Sequence, residues 1–67
     1  MIQVIVNGAA HRLEQPIEVS ALLARLELSG KKIAVEKSGE IIPRSAHAQT
    51  LVKDGDALEI VVAVGGG

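Results

Sequence analysis

The sequence predicts an α+β domain in which one main helix packs on one face of a mixed sheet of four or five strands. Three observations carry this reading. A β-branched run ends at an Asn-Gly pair near the N-terminus, one stretch of helical period follows, and residues 58–64 form the most hydrophobic segment of the chain. With 67 residues, the chain makes a single small domain. Hydrophobic residues make up 48% and none is Phe, Trp or Tyr, so the core must be built from Ile, Val, Leu and Ala.

Ile2 to Val6 is a strand, and Asn7-Gly8 suits the left-handed angles of a two-residue hairpin turn. Ala9 to Glu14 is the return strand, with His11 and Leu13 on one face and Ala10, Arg12 and Glu14 on the other. Gln15-Pro16 ends it, because proline lacks the ladder N–H. The period then changes. Val19, Leu22, Leu23 and Leu26 recur at helical spacing, Ser20 offers a hydroxyl as N-cap, and Gly30 suits a left-handed C-terminal position. Lys31 and Lys32 fit the negative end of the helix dipole.

Ile33 to Lys37 reads as a strand, Ser38-Gly39 as a tight turn, and Glu40 to Ile42 as a short strand ended by Pro43. Arg44 to Lys53 has no clear period and is read as irregular, with room for one helical turn. Asp54-Gly55-Asp56 is a turn signal. Leu58 to Val64 is apolar on both faces, which places it in the middle of the sheet. The order β-β-α-β-β-β, with a right-handed crossover that brings the last strand parallel to the first, is the β-grasp, or ubiquitin-like, architecture. Residues 1–64 form the domain and Gly65-Gly66-Gly67 a flexible tail.

Composition excludes several kinds of chemistry. Seven Lys and Arg balance eight Asp and Glu, and no aromatic residue can stack on a base, so a nucleic-acid partner is not expected. Without Cys there is no disulfide, thiolate metal site or cysteine nucleophile. His11 and His47 stand 36 positions apart with no ligand motif around them, so no metal site is expected. Asp54-Gly55-Asp56 is too short for a calcium loop, and Ser20, Ser29, Ser38 and Ser45 have no base arranged beside them. No apolar run approaches the roughly 20 residues of a membrane span, and no signal peptide opens the chain, so a soluble cytoplasmic domain with no membrane contact is expected. Arg44, after Pro43, is a candidate for contacting a carboxylate or phosphate on a partner.

The three terminal glycines are the unusual feature; chance would place them together about once in a thousand chains of this composition. Three extended residues reach on the order of 10 Å, and without side chains they thread a narrow channel. Such a tail delivers its α-carboxylate, a poor electrophile until its oxygen becomes a leaving group, as in an acyl-adenylate. The chain has no nucleotide-binding motif, so activation requires another protein that uses ATP.

Over essentially its whole length the chain resembles the sulfur carrier proteins of thiamine (thiazole) biosynthesis, which are relatives of ubiquitin. The resemblance lies in Val6-Asn7-Gly8, Leu22-Leu23, Ile41-Ile42-Pro43-Arg44-Ser45, and the run from Asp54-Gly55-Asp56 through Val64 to Gly65-Gly66-Gly67. Ser38-Gly39 stands where these proteins often have Asn-Gly, and His47 where an aromatic residue is common. The resemblance implies a carrier that is not itself an enzyme and binds no cofactor. By that resemblance Gly67 would be adenylated by an E1-like enzyme, and sulfur from a cysteine desulfurase or rhodanese-type donor would then displace AMP, leaving a thiocarboxylate. A thiazole synthase then receives the sulfur. By the same resemblance Gly65 and Gly66 would thread the partner sites and Val64 would be the hinge; Ile5, Val61 and Ala63 are candidates for an apolar docking face, and Val64 and Arg44 are further candidates for partner contact. The same chemistry serves other recipients, in molybdopterin synthesis or tRNA thiolation, and a ubiquitin-like protein modifier is the alternative of a different class.

Overall fold

The computed structural model describes residues 1–62. Strand β1 (Ile2–Val6) turns at Asn7-Gly8 into β2 (Ala9–Leu13). Both turn residues have positive φ, 50° and 83°, the geometry that matches the right-handed twist of a two-residue hairpin. The return strand ends at Leu13, one residue short of the Glu14 expected. A two-residue strand, β3 (Ile17–Glu18), leads directly into helix α1 (Val19–Arg25). Then follow β4 (Ile33–Lys37), β5 (Glu40–Ile42), a 3-10 turn at Arg44–Ala46, β6 (Leu51–Val52) and β7 (Ala57–Val62).

The main sheet has five strands in the order β2-β1-β7-β4-β5, with β7 in the middle as its hydrophobicity requires. β7 runs parallel to β1, opposing Val6 to Leu58, and antiparallel to β4, opposing Ile33 to Val62. The crossover through α1 makes this parallel pairing possible, as the β-grasp reading expects. The core lies between the sheet and α1: Val4, Val6, Leu13, Val35, Leu58 and Ile60 from the sheet meet Val19, Leu22 and Leu23 from the helix. Leu26 packs against the same cluster half-buried, completing the predicted stripe.

Three further features differ from the sequence reading. Ser20 is not the N-cap; Glu18 occupies that position, with no side-chain cap hydrogen bond. The early helical N–H groups have backbone partners instead: Val19 N–H donates to the Thr50 carbonyl (2.9 Å) and Ser20 N–H to that of His47 (3.0 Å). Satisfied in this way, the helix start needs no hydroxyl.

The helix also ends earlier than Gly30. Glu27 takes the left-handed position at φ 60°. Its N–H bonds the Ala24 carbonyl and the Leu28 N–H bonds that of Leu23, which is the hydrogen-bond pattern of a Schellman motif. Lys31 and Lys32 therefore lie beyond the helix rather than at its dipole end, and Arg25 is the basic residue of its last turn. Finally, the aperiodic stretch after Pro43 contains β6, which pairs with β3 through Ile17–Val52 and Glu18–Leu51. Two-residue strands are too short to show a period.

Candidate functional site

β7 leads to the glycine tail, and its last described residues define the site. Ala63, Val64, Gly65, Gly66 and Gly67, expected to form the hinge and tail, lie outside the described residues. What the structure does define is how β7 is held and what surrounds its end. Asn7 N–H donates to the Leu58 carbonyl at 2.9 Å. One rung further, the Asn7 side chain takes over: its Nδ2 donates to the Ile60 carbonyl (2.9 Å) and its Oδ1 accepts from Ile60 N–H (2.7 Å). The amide imitates one more residue of β1 and prolongs the parallel ladder past the end of that strand. At the other end of β7, Asp54 Oδ1 accepts from Gln3 N–H at 2.7 Å, and Asp56 Oδ2 from Lys53 N–H at 2.7 Å. The Asp-Gly-Asp segment is thus a turn whose carboxylates bind backbone N–H groups. A Lys37–Asp56 ion pair at 3.5 Å closes this end.

β7 is apolar on both faces, but only one is covered. Leu58 and Ile60 are buried, whereas Val61 is 61% exposed. The pleat and register place Ile5, Ala57, Glu59, Val61, Ala34, Glu36 and Ile41 on the outer face of the sheet. Ile5 and Val61 therefore share one face, as the docking expectation requires. They are separated along it, because Ile5 opposes Ala57, four residues before Val61. Ile41 is the most exposed of the large hydrophobic residues on this face, at 68%. It escaped the sequence reading because the Ile41-Ile42 pair does not show which member faces out.

Glu36 and Glu59 are direct cross-strand partners on the same face, an unfavourable placement for like charges. Neither has a cationic partner among the described residues. An exposed apolar face holding an unneutralised acidic pair has the character of an interface.

Arg44 does not join this face. It opens the 3-10 turn and its Nη2 donates to the Lys31 carbonyl at 3.2 Å. There it lines a cleft of about 260 Å³ with Ser20 and Leu23 of α1, Leu28, Lys31, Ile33 and His47. His47 is buried, and its Nε2–H donates to the Ile42 carbonyl at 3.1 Å. Its main chain meanwhile satisfies the helix, so it serves here as a strut. Among the described residues no three His, Cys, Asp or Glu side chains group to hold a metal ion. No helix among them is long and apolar enough to cross a membrane.

Comparison with known proteins gives this geometry a context. The ThiS family model matches residues 4–67. A crystal structure of the thiamine biosynthesis protein ThiS from Geobacter metallireducens superposes with TM-score 0.84 at 35% identity, covering 98% of this chain and 100% of that one. A thiazole synthase of Paramagnetospirillum magneticum is 42% identical over 98% of this chain. The chain spans only 20% of that protein's length. The uncharacterized protein ycf40 of Pyropia yezoensis is 32% identical, covering 98% of this chain and 93% of that protein.

Proposed function

The chain belongs to the ThiS family, and from that premise we propose that it is the sulfur carrier of thiazole formation in thiamine biosynthesis, a protein acted on by enzymes rather than an enzyme. Its Gly67 carboxylate attacks the α-phosphorus of ATP on an E1-like partner, expelling pyrophosphate and forming the acyl-adenylate. The terminal sulfur of a persulfide on a cysteine desulfurase or rhodanese-type donor attacks the acyl carbon and expels AMP, giving an acyl disulfide. A second thiol attacks the donor's sulfur, breaks the S–S bond to form a disulfide with the donor, and releases the thiocarboxylate, which a thiazole synthase consumes. No cofactor resides on the carrier, and its place is the cytoplasm.

The observation that carries this reading is the family match itself, which begins in β1 and runs through Gly67, so that it includes the glycine tail. Three features support it. Chains named thiazole synthase contain a segment similar to this one. The central strand is locked by Asn7 close to its exit, which gives the tail a firm root. The outer sheet face is open and apolar beside that root, as a docked partner requires. Gly65 and Gly66, lacking side chains, are suited to a narrow active-site channel.

Growth of a strain lacking this chain tests the pathway. The proposal expects growth restored by the thiazole moiety of thiamine or by the intact gene. Growth without either, or rescue only by a molybdenum cofactor or by thiolated tRNA, overturns it.

A further inference from the structure

A cleft on the helix side of the sheet is lined by none of the outer-face residues. Its walls come from α1, the α1–β4 connection and the segment after β5. Leu23, Leu28 and Ile33 supply apolar lining, while Lys31 and Arg44 bring positive charge from two separate segments. The charge is local to this region. Between residues 41 and 50 Arg44 is the one Lys, Arg, Asp or Glu, and between 26 and 35 Glu27 is the one acid. One Arg44 N–H is bound to the Lys31 carbonyl, which ties the two walls together. Its other donors make no hydrogen bond among the described residues.

Size and position narrow what fits. At about 260 Å³ the cleft falls below the roughly 300–1,000 Å³ of pockets for drug-sized ligands or cofactors. One or two amino-acid side chains fill it. Ile33 in its wall is the register partner of Val62, so the cleft stands at the end of the sheet from which residues 63–67 continue. A protein that takes up those residues must approach this end.

We propose that the Lys31–Arg44 cleft is a docking pocket for an acidic, part-apolar segment of the thiazole synthase that receives the tail. A carboxylate of the synthase meets the two cations, and an adjacent apolar side chain enters between Leu23, Leu28 and Ile33. This rests on the carrier reading, and it assigns to Arg44 and Lys31 an electrostatic role separate from the acidic, apolar outer face. Together the two surfaces set the rotation of the carrier about its tail, because a partner must present an acid on one side of the tail root and a base on the other.

The test is a calorimetric titration of the full chain into purified thiazole synthase at low and moderate salt. Lys31→Gln removes charge without touching a described hydrogen bond, whereas Arg44→Gln also removes the tie to Lys31. Each is expected to weaken binding about threefold to tenfold, with a smaller loss at higher salt. Lys53→Gln, at the far end of β7, is expected to bind as the unaltered chain does. Unfolding midpoints equal to that of the unaltered chain verify Lys31→Gln as a surface change. If Lys31→Gln binds with unchanged affinity, or Lys53→Gln weakens binding equally, the docking pocket is refuted and the carrier reading stands. If the unaltered chain itself does not bind the synthase, both fall.

Discussion

Replacing Asn7 by glycine removes two hydrogen bonds from the C-terminal half of β7 while leaving the hairpin turn intact. Glycine adopts the φ of 50° at this position at least as readily as asparagine, so the turn itself is not strained. What is lost is the rung between the Asn7 amide and Ile60, with contacts of 2.7 and 2.9 Å. At about 0.5–1.5 kcal/mol for each bond, the loss is about 1–3 kcal/mol. The greater chain entropy of glycine in the unfolded state adds a few tenths more. For a domain of this size, about 2 kcal/mol lowers Tm by roughly 8–16 °C. Thermal unfolding followed by circular dichroism measures the loss, and amide exchange at Ile60 locates it, since that N–H loses its acceptor. Asn7→Asp separates the two bonds: it keeps an acceptor for Ile60 N–H but sets a carboxylate against the Ile60 carbonyl. If Asn7→Gly unfolds within about 0.5 kcal/mol of the unaltered chain and Ile60 exchange is unchanged, the side-chain rung contributes nothing and the tail root is not held by Asn7.

Other perturbations follow from the same geometry. Glu27 holds a left-handed φ of 60° as the residue after the helix C-cap, so Glu27→Gly should stabilise the fold by about 0.5–1 kcal/mol, read from urea midpoints at an unchanged m-value. Glu59→Lys turns the Glu36–Glu59 repulsion into an opposite-charge pair and should add about 0.2–1 kcal/mol while weakening partner binding. A stability gain with binding retained would remove the acidic pair from the interface. Deleting Gly66 and Gly67 should leave the unfolding midpoint unchanged and abolish sulfur acceptance; a midpoint several degrees lower would make those residues part of the fold.

The elements that periodicity or turn chemistry marks are legible in the sequence alone. The hairpin at Asn7-Gly8, the Val19, Leu22, Leu23 and Leu26 stripe, and the central place of β7 all follow from local pattern, and the parallel pairing with β1 follows from the crossover. What stays hidden depends on partners distant in sequence. Ser20 looks like a cap until the carbonyls of His47 and Thr50 arrive at the helix start. Glu27 gives no signal of a left-handed residue, whereas Gly30 gives a strong one that serves a later turn at φ 81°. Asn7 announces the turn but not its second task, because Ile60 stands 53 positions away. That Ile5 and Val61 share one sheet face follows from strand alternation and register, whereas the place of Arg44 on the helix side, against Lys31, does not. No local pattern joins two residues 13 positions apart on opposite walls of a cleft.

The proposed carrier function turns on the chemistry of Gly67, and intact mass spectrometry reads that chemistry directly. The full chain is incubated with an E1-like enzyme, ATP, a persulfide-bearing sulfur donor and a thiol reductant, then measured whole and after fragmentation. A sulfur carrier gains the mass of one oxygen exchanged for sulfur, dependent on ATP and confined to the C-terminal residue. An unchanged mass, or a sulfur mapped anywhere but Gly67, contradicts that function.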